Sequence, residues 1–235
     1  MNKKSVYLLA ALALTGSLQI ASAADITGKV TLKGTPPAEK TIEMDATCGK
    51  MHPGPVTTRH YVVGKDNGLA NVFVYLKDAK GGTPGPEPTL DQVGCMYDPY
   101  VIGVMTNQKF KMKNSDPLLH NVHATPKINA EFNLGQPMQN QVNEKSFDKP
   151  EVLVRMKCEV HGWMFSYVGV ADSPYFAVTD KDGNFKISNV PAGDYTIVAF
   201  HQKAHTASGQ GVEQKVKVAG APVTSDFTVE VLQPK

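Results

Sequence analysis

Residues 152–170 read Val152-Leu153-Val154-Arg155-Met156-Lys157-Cys158-Glu159-Val160-His161-Gly162-Trp163-Met164-Phe165-Ser166-Tyr167-Val168-Gly169-Val170. Val152 to Met156 alternates with the two-residue period of a strand, and Ser166 to Val170 reads as a second strand. Between them a Cys, a His and a Met fall in one short loop. A thiolate and an imidazole are good ligands for copper or zinc, and a thioether favours copper, above all Cu(I). A loop between two strands can fold three such side chains onto one ion, while a fourth comes from a neighbouring strand end.

That fourth donor is offered upstream, in Asn114-Ser115-Asp116-Pro117-Leu118-Leu119-His120-Asn121-Val122-His123. One Cys and two His around a metal, with a weak axial Met, make a blue-copper electron-transfer site. The segment resembles the cupredoxins, the family of plastocyanin and amicyanin. The family's first ligand motif, N-x-x-x-x-x-H-N-V, is met by Asn114, His120, Asn121 and Val122. Its second, C-x-x-H-x-x-M with the amicyanin spacing, is met by Cys158, His161 and Met164. The usual strand before the first ligand is met by Val101 to Lys113. The resemblance covers about residues 91–171. It implies one copper ion, with His120, Cys158 and His161 equatorial and Met164 axial. It also implies that Asn121 holds the ligand loop through hydrogen bonds, including near the Cys158 sulfur, where such bonds tune a metal.

Taken singly, a Cys or a His is usually structural. A Cys-His-Met trio in seven residues, paired with an upstream His-Asn-Val, is not readily accidental. A binuclear copper centre needs two bridging thiolates in the loop, and only Cys158 is there. A catalytic Cys–His pair would need an oxyanion motif, and none accompanies it. His123 shares a strand face with His120 and could reach the site or cap its rim. Trp163 reads equally as an exposed apolar patch around His161 or as a loop aromatic packed on the sandwich. Glu159 reads as solvated.

Working outward, further alternating runs lie at Ile26 to Leu32, Val72 to Leu76, Lys109 to Lys113, Phe185 to Val190, Thr196 to Phe200, Val212 to Val218 and Phe227 to Val231. Turn residues separate them, and long helical periodicity is absent. The fold class is therefore all-β, of the sandwich kind. Breaks at 81–88, rich in Gly and Pro, and at Asp172-Ser173-Pro174 bracket the middle segment. The flanks carry Thr179-Asp180-Lys181-Asp182-Gly183-Asn184-Phe185 and Pro191-Ala192-Gly193-Asp194-Tyr195. Together with Gly28-Lys29-Val30 these resemble the carboxypeptidase regulatory-like domain, a small transthyretin-like β-sandwich. The resemblance implies a Greek-key copper sandwich at 85–174 inserted in, or adjoining, a second sandwich made of 24–84 and 175–235. Asp180, Asp182 and Asn184 look like half a calcium loop, but its twelfth position is Pro191 rather than Glu, which leaves a hairpin turn.

Residues 1–23 read as a cleaved secretory signal. Lys3 and Lys4 form its basic end, Val6 to Leu14 its apolar run, and Ala21-Ser22-Ala23 its cleavage pattern. The apolar run is short of the ~20 residues that a membrane-spanning helix needs. Of 24 basic residues the leader holds two, which leaves 22 against 22 acidic in the mature chain. That balance carries no nucleic-acid footprint, and hydrophobic content of 41% excludes a disordered tail. Export places the chain in the periplasm, where disulfides are allowed. With Cys158 assigned to metal, two of the three cysteines are left. Cys48 and Cys95 would form a disulfide pinning the outer sandwich to the insert. The competing reading is a second soft-metal site with His52 and Met51 or Met96.

The expected function is electron carriage rather than enzymatic turnover, with copper alternating between Cu(II) and Cu(I) and His161 as the electron port. The expected partners are redox proteins, a cytochrome or a dehydrogenase, with no nucleic acid and no membrane span in the mature chain. The alternatives are a copper carrier or store, and an envelope interaction module with a structural metal site.

Overall fold

The structure is a computed structural model that describes residues 22–204 and 209–232. All but the last two residues of the expected leader, 1–23, lie outside these. Among the described residues no helix is long and apolar enough to cross a membrane. The chain is almost entirely β, arranged as β-sandwich layers.

Two hydrophobic cores organise four sheets. The first core lies between a sheet built on Ala24–Lys33 and a sheet ordered Phe176–Val178, Phe73–Leu76, Gly193–Phe200, Val212–Val218. Ala24–Lys33 pairs antiparallel with Asn184–Val190 and parallel with Val223–Thr224 and Phe227–Glu230. Alternation drives it: Ile26, Val30 and Leu32 point inward against Val74, Ile187, Ile197 and Val229.

The second core lies between a four-stranded and a five-stranded sheet. The four-stranded sheet runs Met96–Asp98, Thr89–Val93, Phe110–Asn114, Val142–Lys145. The five-stranded sheet runs Val101–Met105, Phe165–Ala171, Glu151–Lys157, His120–Thr125, Phe132–Gln136. Phe110 and Met112 from the one face Val122, Ala124, Val154, Met156 and Val168 from the other. Cys48, from a short helix at Ala46–Gly49 far back in the chain, belongs to this second core.

Two local readings differ from the structure. The stretch 101–113 is two strands, one in each sheet, because Asn107 turns the chain with φ of 62°. The run 152–156 carries an irregularity at Leu153, which has φ of 57° and shifts the pairing register between Glu151 and Val154.

The two cores meet over a flat place in the five-stranded sheet. Gly103 and Gly169 are paired across neighbouring strands. A Cβ on Gly169 would stand 2.7 Å from the Phe73 ring, and one on Gly103 would stand 2.5 Å from Phe176. The missing side chains make the room that the two rings fill. The segment between the cores leaves and returns at one place: Gly81 donates its N–H to Asp172 O at 2.8 Å. Beside that point Val74 pairs with Ala177.

Candidate metal centre

Asn114 folds the loop that delivers the first histidine. Its Nδ2 donates to Leu118 O at 2.8 Å and to Gln136 O at 2.9 Å, and its Oδ1 accepts from Asp116 N at 3.0 Å. An Asn that bonds the backbone two residues on sets a local turn without help from a ladder. The turn ends at His120, the first residue of its strand and fully buried.

The second loop closes on itself. Cys158 N donates to Met164 O at 3.0 Å, and Met164 N donates to His161 O at 2.9 Å. These bonds gather Cys158, His161 and Met164 at one end of the second core. Cys158 is 3% exposed, His161 7% and Met164 0%.

The donor atoms converge. His120 Nδ1 and His161 Nδ1 stand 3.0 Å apart, and Cys158 Sγ is 3.8 Å from His161 Nδ1. The three ligand atoms lie within 4.8 Å of one another. Met164 is fully buried and belongs to the same core as Cys158. Asn121 Oδ1 accepts from Glu159 N at 2.7 Å and lies 3.3 Å from Cys158 Sγ, while its Nδ2 donates to Asn133 Oδ1. Asn121 thus ties the start of the second loop to the strand that begins at His120. Tyr97 OH donates to Asn121 O at 2.6 Å from within the core.

Electrostatics prepare the donors. Burial works against charge on His120, but the Asp116 carboxylate and the Cys158 sulfur outweigh it, and its pKa is pushed up to about 9. Burial would raise the Cys158 thiol; His120 and the N–H groups of Asn121, His161 and Val160 overcome that and hold it below its ordinary value. The thiolate is the ligand form. Burial, then the charge on His120, lowers the pKa of His161 and favours its neutral, metal-binding form. Two imidazole nitrogens and a thiolate, buried and directed at one point, suit a soft or borderline metal such as copper or zinc.

Other side chains are placed less simply. Cys48 and Cys95 are joined by a disulfide of S–S length 2.07 Å. His52 Nε2 stands 2.7 Å from Gly94 O, and Met51 Sδ lies 3.9 Å from Cys95 Sγ. His123 is engaged at both ring nitrogens by the carboxylates of Glu131 and Glu159, so neither faces the donors. Glu159 is held by that contact and by Lys157 at 2.8 Å. Trp163 packs on His161 with ring centroids 5.2 Å apart and donates Nε1 to Cys95 O at 3.0 Å. His161 is deeper than a loop position suggests. Asp45 Oδ2 stands 3.8 Å from its Nε2, and the Cys48–Cys95 disulfide sulfurs lie within 4.8 Å of its ring nitrogen.

The residue that sequence reading missed is Asp116. It is 3% exposed. Its Oδ2 stands 2.9 Å from His120 Nε2 and accepts from Cys95 N at 2.8 Å; its Oδ1 accepts from Gly94 N at 2.7 Å. Burial alone would raise its pKa, yet His120 and the two backbone N–H groups keep it below the ordinary value. The sequence signal was a carboxylate four residues before the first His, hidden among loop residues.

No protein-family model matches the chain, and no curated protein matches it. Among solved structures it is similar to a purple cupredoxin from Nitrosopumilus maritimus, at 17% identity and TM-score 0.32, over 36% of this chain and 100% of that one. A copper(I) form of an amicyanin variant is similar at 17% identity and TM-score 0.32, over 41% of this chain and 97% of that one. The copper-containing nitrite reductase from Thermus scotoductus SA-01 is similar at 19% identity and TM-score 0.31, over 40% of this chain and 24% of that one.

Proposed function

We propose that this chain is a periplasmic type 1 copper protein that carries single electrons between redox proteins. The observation that carries the reading is the convergence of His120 Nδ1, His161 Nδ1 and Cys158 Sγ within 4.8 Å, in a place closed to solvent. On this reading those three residues hold one copper ion, with Met164 as the weak fourth ligand. Copper there supplies a one-electron couple between Cu(II) and Cu(I), and a thiolate bond tuned by its surroundings.

The chain does the rest. Cys158 and His161 are locked by backbone bonds through Met164, and His120 by the Asn114 turn, so little moves when the charge changes. Burial of all four side chains keeps water off the donors and slows their exchange, which favours electron carriage over copper delivery. Asn121 steadies the Cys158 end of the loop. Val160 and Leu119, each 50% exposed and each next to a donor in sequence, offer apolar contact to a partner. We assign the first core to the carboxypeptidase regulatory-like sandwich, on the turns at 179–185 and 191–195.

The test is to add Cu(II) to the purified full chain and record visible and paramagnetic-resonance spectra. An intense thiolate-to-copper band with narrow hyperfine splitting is expected, and Cys158→Ser abolishes it. A colourless protein that retains zinc, or a Cys158→Ser variant that keeps the band, overturns the assignment.

A further inference from the structure

Cys95 braces both histidines through its main chain. Its N–H donates to Asp116 Oδ2, which stands 2.9 Å from His120 Nε2. Its C=O accepts from Trp163 Nε1, and Trp163 packs on His161. The residue is itself fixed in a left-handed turn, φ of 53° after Gly94 at 62°, and by its sulfur to Cys48. The supports of both imidazoles therefore converge on one residue, through the two peptide groups that flank its Cα.

We propose that Asp116 is the positioning residue of the first ligand, acting through the Nε2 edge of His120 and held in place by the Cys95 turn. The inference rests on the copper reading above and extends it. The geometry decides the direction of the effect. Nε2 faces the carboxylate, so it keeps its proton, and Nδ1 is the nitrogen that gives up its proton to a metal and turns its lone pair to the other donors. A buried carboxylate on the far side of the ring makes Nδ1 a stronger donor and sets a negative charge near the ion. Both effects favour Cu(II) over Cu(I) and lower the reduction potential. Asp116 can hold that charge away from water because Gly94 and Cys95 present two successive N–H groups to it.

The full chain is compared with Asp116→Asn, which keeps an acceptor oxygen without the charge, and with Asp116→Ala. Two readouts are needed. In metal-free, nitrogen-15-labelled protein, the wild type shows a solvent-protected imidazole Nε2–H from His120, and Asp116→Ala loses it. In copper-loaded protein, Asp116→Asn remains blue and folded but binds Cu(II) about 10–100-fold more weakly. Its Cu(I) affinity changes less, so its potential rises. The inference is overturned if both variants match the wild type in Nε2–H protection and potential. It is equally overturned if Cu(II) and Cu(I) affinities fall by the same factor, the result of a merely structural role. A wild type that shows the protected Nε2–H but takes up no copper refutes the copper reading instead.

Discussion

His120 is held charged against its own burial by the Asp116 carboxylate and the Cys158 sulfur. Its pKa, pushed up to about 9 against an ordinary 6.5, means that the metal-free site is charged at neutral pH. On the copper reading proposed above, the metal needs the bare Nδ1, so binding expels a proton below about pH 9. Apparent copper affinity should therefore rise about tenfold per pH unit through neutrality from this one proton and level off above pH 9. Calorimetry in buffers of different ionisation enthalpy would count the proton directly; a pH-independent affinity would refute this account of the site. The sign for folding is the opposite. A raised histidine stabilises the metal-free fold fully below 6.5, and that contribution is lost as pH climbs through about 9. Asp116, held below 3.8, contributes in full above that value and loses its effect in acid.

At the scale of strands and loops, the all-β class and the grouping of His120, Cys158 and His161 were legible in the sequence, and the contacts around them were not. The loop from Cys158 to Met164 could be read because each donor type is rare and their spacing is short. The brace behind it could not, because Asp116 and Cys95 act through hydrogen bonds made by loop backbone, which leave no periodic trace. Alternation located strands such as Ile26 to Leu32 and Lys109 to Lys113; the family resemblance took 101–113 as one strand, whereas a single left-handed Asn107 is enough to send the chain to the other sheet. The pairing of Gly103 with Gly169 was equally silent: glycine in a strand announces room but not what fills it. Here the filling is Phe73 and Phe176, and the consequence can be measured. Gly169→Val forces a side chain into the Phe73 ring and should destabilise the protein by about 1–3 kcal/mol or more. Denaturant unfolding would read this, and a variant as stable as the wild type would mean that the two cores do not depend on that contact.

Across the whole molecule, the Cys48–Cys95 disulfide was expected to pin the outer sandwich to the middle segment, but both of its cysteines lie in the second core, so it ties the 46–49 helix to that core instead. The Cys48–Cys95 disulfide closes a separation of 47 residues. Replacing both cysteines with serine should cost about 2–4 kcal/mol of stability, through the freedom returned to the unfolded chain. Thermal melts with and without a reducing phosphine check this: reduction should lower the wild-type midpoint to that of the double variant and leave the double variant unmoved. Equal midpoints for all samples would show that the bond contributes nothing.

The bond from Gly81 N to Asp172 O brings the two ends of the middle segment together, like a doorway. A segment with one doorway invites transplantation: in principle it could be cut there and set into any loop of matching width. The disulfide makes that cassette incomplete. Excised at the doorway, it would take Cys95 with it and leave Cys48 behind, so the transplant would arrive with an orphan thiol beside His161. The short helix that carries Cys48 would have to move with the segment for that bond to survive.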